Sequence, residues 1–544
     1  MRGGMAVAAC VMALASWSAG AQQGGGITAQ DLLDGLKHPG RWLMYSGDYT
    51  GARHSPLTQI TPANVGSLAA QWTFQVENMV TGRGFEGTPL IADGVMYVTG
   101  NNNTAWAVDI RSGRQLWRHR RLLPAGLTYG SANASNRGFA ILGERLFMGT
   151  LDAHLVALDR RTGEVLWDVP VDDFKVGYAV TQAPLIVKDK VIIGIAGGDL
   201  PTRGFIDAYD PASGARLWRF YTIPGRGEPG SETWSDPDVL PRGGGATWQT
   251  GSYDPELNLL YWGTGNPNPD YFGEDRKGAN LYTASLVALD ADTGRLRWHF
   301  QFTPHDTHDW DSNHVPILAE IPVNGTPRRV VMVANRNGFF YTLDRVSGAL
   351  LVGKPFTGTQ WARELGPDGT PIVLNTGVAT PGNPNPTCVP DYRGSTNFNP
   401  PSYDPALRLF FVMARETCAV YMPLRQEVVP GRSLMGGGMR ALDEPNYSAL
   451  RAIDPATGSI VWEHRFELSS LAGVMSTASG LVFAGDQDGY FNAFDGRSGK
   501  RLWRYRTGAP IHGAAATTYM LDGRQYVLIP AGMTITAFAL QEGS

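Results

Sequence analysis

Apolar and polar positions along this chain follow a phrase that keeps returning. An apolar stretch leads to an Asp, turn residues and a Gly, then to a second stretch ending on Trp. It reads AVDIRSGRQLW at 107–117, ALDRRTGEVLW at 157–167, AYDPASGARLW at 208–218 and ALDADTGRLRW at 288–298. Further copies are AIDPATGSIVW at 452–462 and AFDGRSGKRLW at 493–503, while TLDRVSGALLV at 342–352 lacks the Trp. Each copy predicts two strands joined by an Asp/Ser/Gly turn, with an aromatic at a fixed place. The anchoring residues Asp109, Asp159, Asp210, Asp290, Asp344, Asp454 and Asp495 are 50, 51, 80, 54, 110 and 41 residues apart. A propeller blade of four strands takes roughly 40–50 residues, so the longer gaps read as loop insertions. ITAFAL at 535–540 and QWTF at 71–74 supply the strands of a last blade, whose pairing closes the ring and removes exposed edges. The predicted fold is all-β: an eight-bladed β-propeller in which the repeated tryptophans dock blade on blade. It spans 22–544 as one domain, with a long insertion at about 353–440.

Composition supports a turn-rich β protein, with 67 Gly and 36 Pro in 544 residues. A net charge of −4 without a basic run argues against nucleic-acid binding. Residues 1–21 have an early Arg, an apolar middle and the small ending Ala19-Gly20-Ala21, a secretory signal peptide that places the mature chain in the periplasm. Val7-Ala8-Ala9-Cys10 looks like a lipobox, but the apolar stretch before it is short. No later segment reaches the length of a membrane span, so no integral membrane segment is expected. Beyond the leader only Cys388 and Cys418 remain; in an oxidising compartment they are expected to pair, two free buried thiols being the alternative. No Cys-x-x-Cys-His motif for covalent haem is present.

The insertions between repeats collect the polar residues that could carry chemistry. TPHDTHDWDSNH at 303–314 holds three Asp and three His. Such a loop can equally serve turns and hydrogen bonds. Asp309 and Asp311, however, point the same way if the segment is extended, and two close carboxylates call for a proton or a cation. ANRNGFFYTLDR at 334–345 sets Arg336 before an Asn-Gly turn, and GGGATWQTGSYDPELNLLYWGTGNPNP at 243–269 combines Gly-rich backbone with Trp248 and Asn266. IAGGDLPTRG at 195–204 joins Gly197 and Gly198 to Asp199, RGFEGTPL at 83–90 offers Glu86, and SNRGFA at 135–140 offers Arg137.

Together these segments resemble the pyrroloquinoline quinone (PQQ)-dependent alcohol dehydrogenases, a family that includes the methanol dehydrogenase large subunits. The resemblance runs from SGDYTGARHSPLTQITPANV at 46–65 to TITAFAL near the end. It implies an eight-bladed propeller with PQQ and a metal ion on its axis. By this resemblance Trp248 is the floor on which the quinone stacks, and Glu86, Arg137, Thr181 and Asn397 hold PQQ by hydrogen bonds or ion pairs. Gly197 and Gly198 let the backbone approach the cofactor, Arg336 polarises the quinone oxygens, Asn266 and Asp199 are metal ligands, and Asp309 is the general base. The family's calcium enzymes usually carry a small uncharged residue two positions after that base, and its lanthanide enzymes an Asp. Asp309-Trp310-Asp311 therefore implies a lanthanide ion, with Ca²⁺ as the alternative, and makes Asp311 a further ligand.

The chain departs from the family pattern at three places. Asp199 replaces a Glu, Ser131-Ala132 replaces a Cys-Cys pair, and Ala246 replaces a Thr. The implied reaction takes a small alcohol to its aldehyde. Asp309 accepts the hydroxyl proton while hydride passes to PQQ, and electrons leave to a separate periplasmic cytochrome c. A PQQ enzyme for aldehydes, sugars or polyols, and a non-catalytic propeller scaffold, are the rival readings. The sequence leaves the oligomeric state open, a homodimer included.

Overall fold

The computed structural model describes residues 26–77, 84–127, 134–374, 378–385 and 390–541. The expected leader 1–21, Ser131-Ala132 and Cys388 lie outside the described residues. Each repeat folds as its residue order predicts. Asp109 Oδ1 accepts from the backbone N–H of Arg111 and Ser112 and from the Ser112 hydroxyl, at 2.8–3.1 Å. That Asx turn links Thr104–Asp109 to Gln115–Arg120. Among the described residues seven sheets have four strands, one has five, and one is a two-stranded hairpin. The strands of each large sheet are antiparallel neighbours in chain order, with two exceptions: His54–Ser55 adds in parallel to Val474–Thr477 as the fifth strand of one sheet, and Leu68–Gln75 pairs antiparallel with Thr534–Leu540 and so joins the two ends of the chain.

The tryptophans connect one sheet to the next. Gly113 has φ +72°, and a Cβ there would lie 2.8 Å from the Trp72 ring, so the bare turn is the seat for that indole. Trp72 Nε1 also donates to Ile110 O at 2.9 Å, which satisfies its one polar atom. The same seating joins Trp117 to Gly163, Trp167 to Gly214, Trp218 to Gly294, Trp298 to Gly348 and Trp462 to Gly499. In the copy without Trp, Val352 and Lys354 lie against Gly458 instead. Trp503 meets Phe538 edge-on at 5.4 Å, and Phe538 lies on the strand that pairs with Trp72's own strand. The series of contacts thus returns to the sheet from which it began.

Burial follows strand position. The first strands Leu90–Ala92, Leu185–Val187 and Ser252–Asp254 are buried at every residue, whereas last strands such as Gln115–Arg120 are mostly exposed. In an antiparallel sheet the start of the first strand and the end of the second lie at the same edge. Segments entering first strands and leaving second strands therefore gather at one end of the molecule, and the chemistry-bearing segments are of these two kinds.

Candidate active site

Glu86, Arg137, Thr181, Trp248 and Asn397 each lie three to five residues before a first strand. Gly197, Gly198 and Asp199 follow the second strand Lys190–Gly194, Asn266 follows Leu259–Gly263, and Arg336 follows Thr326–Ala334. Asp309 and Asp311 lie in the segment leading to Ile317–Val323. A cavity of about 270 Å³ is lined by Arg137, Thr181, Gly197, Gly198, Asp199, Trp248, Asp309, Asp311, Arg336 and Asn397. Glu86 and Asn266 stand directly behind it: Glu86 pairs with Arg137 at 3.1 Å, and the Asn266 backbone N–H donates to Asp311 Oδ1 at 2.8 Å. The fold therefore brings all the expected site residues to one place, apart from the cysteines. Cys418 is buried on Leu409–Pro423.

The wall beside Trp248 is cationic. Arg137 donates to the Thr181 hydroxyl at 3.0 Å, and its guanidinium carbon lies 4.9 Å from the Trp248 ring centre and 4.6 Å from that of Phe398. Arg336 Nη2 reaches Asp311 Oδ2 at 3.0 Å and Asn397 Oδ1 at 3.2 Å; its Nη1 donates to Asp309 O at 2.7 Å and lies 3.5 Å from Asp309 Oδ1. Five donors in a planar fork let one arginine make all these contacts. Trp248 Nε1 also donates to Asp311 Oδ2, at 2.8 Å, so the indole edge is fixed by the carboxylate.

Asp309 and Asp311 do come together, but not by strand alternation as expected. Asp309 has φ +61°, a left-handed turn inside an irregular segment. Asp306 holds that turn, its carboxylate accepting from His308 N at 3.0 Å and Trp310 N at 2.7 Å. Trp310 is wholly buried, stacks on His308 at 4.1 Å and donates to Asp391 O. Backbone strain of this kind persists only where surrounding contacts over-determine it. Burial first, and then the Asp199 charge, push the Asp309 carboxyl well above the ordinary range, with Arg336 opposing them. His314 Nδ1 donates to Asn397 O at 2.9 Å and Nε2 accepts from Arg336 N at 3.1 Å, which specifies one neutral tautomer. Burial, aided by Arg336, holds its pKa down at about 3.

The residues fit both groups that the resemblance implies. Trp248 offers a flat apolar face, with Arg137, Arg336, Thr181 and Asn397 around it as donors for a planar anion. Asn266 Oδ1 is buried without a hydrogen-bond donor and lies 3.6 Å from where a Cβ on Gly198 would stand. A free amide oxygen among carboxylates is the donor set of a hard cation. Among the described residues no three acid, imidazole or thiol groups yet converge on a single point, and Arg336 bridges Asp309 and Asp311.

Several site residues were not singled out from the sequence. Asp306 and His314 stood in the quoted 303–314 run, and Asp270 follows Asn266 by four residues in the next turn. Tyr392, Arg393, Phe398, Leu471 and His512 also line the cavity, without any local motif to mark them. Phe398, Leu471 and His512 lie three to five residues before the strands that begin at Ser402, Val474 and Thr517, the one pattern that could have found them.

A family model for the β-propeller domain of PQQ-dependent glucose, ethanol and alcohol dehydrogenases matches residues 42–354 and 427–527. Over 536 residues the chain is 36% identical to the quinoprotein alcohol dehydrogenase PedH of Pseudomonas putida, covering 93% of this chain and 88% of that protein. It is 34% identical to a quinoprotein ethanol dehydrogenase of Pseudomonas aeruginosa, over 96% of this chain and 90% of the relative. A solved europium-containing methanol dehydrogenase superposes with a TM-score of 0.88 at 30% identity, over 94% of this chain and all of that one. This chain belongs to the PQQ-dependent alcohol dehydrogenase family, built on an all-β propeller domain.

Proposed function

We propose that this chain is a periplasmic quinoprotein, an eight-bladed propeller, that oxidises small alcohols to aldehydes with PQQ and a lanthanide ion. The observation that carries the reading is the single cavity in which Trp248, Arg137 and Arg336 meet Asp199, Asp309 and Asp311. When bound, PQQ supplies a two-electron acceptor and the ion supplies Lewis acidity. Trp248, Glu86, Arg137, Thr181, Asn397 and the bare backbone of Gly197 and Gly198 would hold the cofactor. Asp199, Asn266, Asp309 and Asp311 would hold the ion.

Asp309 accepts the proton of the substrate hydroxyl at a carboxylate oxygen, its backbone turned toward the cavity by the Asp306 brace. Arg336 keeps Asp309 in place through its carbonyl, and its guanidinium carbon, 5.7 Å from the Trp248 ring centre, sets a positive charge beside the space where the cofactor would lie. The neutral His314 positions Arg336 and Asn397 through their backbone groups.

Asp311, together with the europium-containing relative, supports the trivalent ion over Ca²⁺. Electrons are proposed to leave to a separate cytochrome c, and Cys388 to pair with Cys418. The test is to load the purified protein with PQQ and either Ca²⁺ or a light lanthanide, and to follow ethanol-dependent dye reduction. Turnover with the lanthanide alone supports the whole reading. Turnover with Ca²⁺ removes the metal assignment, and PQQ binding without alcohol turnover removes the substrate class.

A further inference from the structure

One carboxylate at this site is absent from the ligand set named above. Asp270 is completely buried, four residues beyond Asn266 in the turn that follows Leu259–Gly263. Its Oδ1 accepts from Asn266 Nδ2 at 2.7 Å and from Asn268 Nδ2 at 3.4 Å. Its Oδ2 is buried and accepts from no donor. The buried charge of Arg276 offsets this only in part, because none of its N–H groups reaches the Asp270 carboxylate. Arg276 points its guanidinium at the backbone oxygens of Pro269, Asp270 and Asp306 and at Asn280 Oδ1. Two asparagines tie it to the other acids: Asn266, which holds Asp270 by its amide, donates its backbone N–H to Asp311 Oδ1 at 2.8 Å, and Asn268 Nδ2 also reaches the carbonyl of Gly198, next to Asp199, at 3.0 Å. Donating Nδ2 to Asp270 also turns the Asn266 amide so that its own oxygen is left free beside Gly198. Two buried oxygens without donors, beside carboxylates that repel one another, are what a cation would satisfy.

We propose that Asp270 Oδ2 is a direct further ligand of the cation at this site. The site then holds four carboxylates (Asp199, Asp270, Asp309 and Asp311) with the Asn266 amide oxygen, and the added charge favours a trivalent ion over Ca²⁺. The inference rests on the cation-dependent reading given under the proposed function.

The test uses PQQ-loaded protein stripped with a chelator. Tb³⁺ and Ca²⁺ affinities are measured, the first by Tb³⁺ emission, in the wild type, D270N and D311N. Eu³⁺ emission lifetimes in H₂O and D₂O count the waters on the ion. Expected for D270N is a loss of Tb³⁺ affinity of about tenfold or more. Ca²⁺ affinity should fall less, and about one more water should appear on Eu³⁺, because Asn keeps the shape without the charge. D270S is read in the same way should D270N not fold. Unchanged Tb³⁺ affinity in D270N beside a clear loss in D311N overturns the assignment of Asp270 alone. A loss of affinity with an unchanged water number makes Asp270 an outer partner, and also overturns it. A wild type that takes up no Tb³⁺ overturns the cation reading of the whole site.

Discussion

Asp306→Ala tests how the candidate base is held. The carboxylate of Asp306 is buried and accepts two backbone N–H groups, from His308 and Trp310, that flank Asp309. Hydrogen bonds to a charged group contribute about 1.5–3 kcal/mol each, so losing both costs about 3–6 kcal/mol. The left-handed backbone of Asp309, at φ +61°, then loses its brace, and a non-Gly residue relaxes from that region by about 1–2 kcal/mol. Total domain stabilities are about 5–15 kcal/mol, so the loss should be plain in urea unfolding. The midpoint should fall while the slope stays as it was. Amide exchange across 303–316 should quicken by two decades or more if the cost is local, since about 1.4 kcal/mol is tenfold. Turnover should fall by about a hundredfold, as expected for a misplaced reacting group. Asp306→Asn, which retains one acceptor oxygen, should lie between. Unchanged exchange at 303–316 in Asp306→Ala would show that Trp310 packing, not this carboxylate, holds the turn.

Asp309→Asn should retain PQQ, seen by its absorbance, and lose nearly all turnover; normal turnover with cofactor bound removes the base assignment. Arg137→Met takes the guanidinium from buried Glu86 and should cost about 3–5 kcal/mol, read by urea unfolding, and weaken PQQ retention. His314 stays neutral in the fold to about pH 3, whereas an unfolded His binds a proton near pH 6.5. Its contribution is therefore complete above pH 6.5 and lost as pH falls toward 3, at up to about 1.4 kcal/mol per pH unit. His314→Gln should flatten that part of the stability–pH curve. Gly197→Ala should destabilise by more than about 2 kcal/mol in thermal or urea unfolding, because φ is +110° and the new Cβ would lie 2.3 Å from Gly177 O.

Architecture was legible because it is periodic. Asp109 and its counterparts announce their turns through local hydrogen bonds, and the tryptophans through a fixed offset from those turns. The partner of each Trp, the turn glycine of the next repeat, was already written in the same phrase. The site was legible where residues cluster in sequence, as at 303–314, and through the family pattern elsewhere. What escaped was long-range. Asp270 matters because Asp199 and Asp311 surround it, and His314 because Arg336 and Asn397 meet across it. The expected alternation of Asp309 and Asp311 failed because a side-chain brace from Asp306 overrode the extended backbone, and nothing in the local hydrophobic pattern signals such a brace.

The pairing of Leu68–Gln75 with Thr534–Leu540 sets the order of synthesis against the order of assembly. A strand made among the first must wait, with its hydrogen-bonding edge bare and Trp72 awaiting the second of its two neighbours, for a strand made among the last. Until residues near 540 arrive the ring is an open arc, and the loops that supply the cavity from opposite sides have no common reference. A nascent chain therefore carries Trp248, Asn266, Asp309 and Asp311 long before these residues share a site.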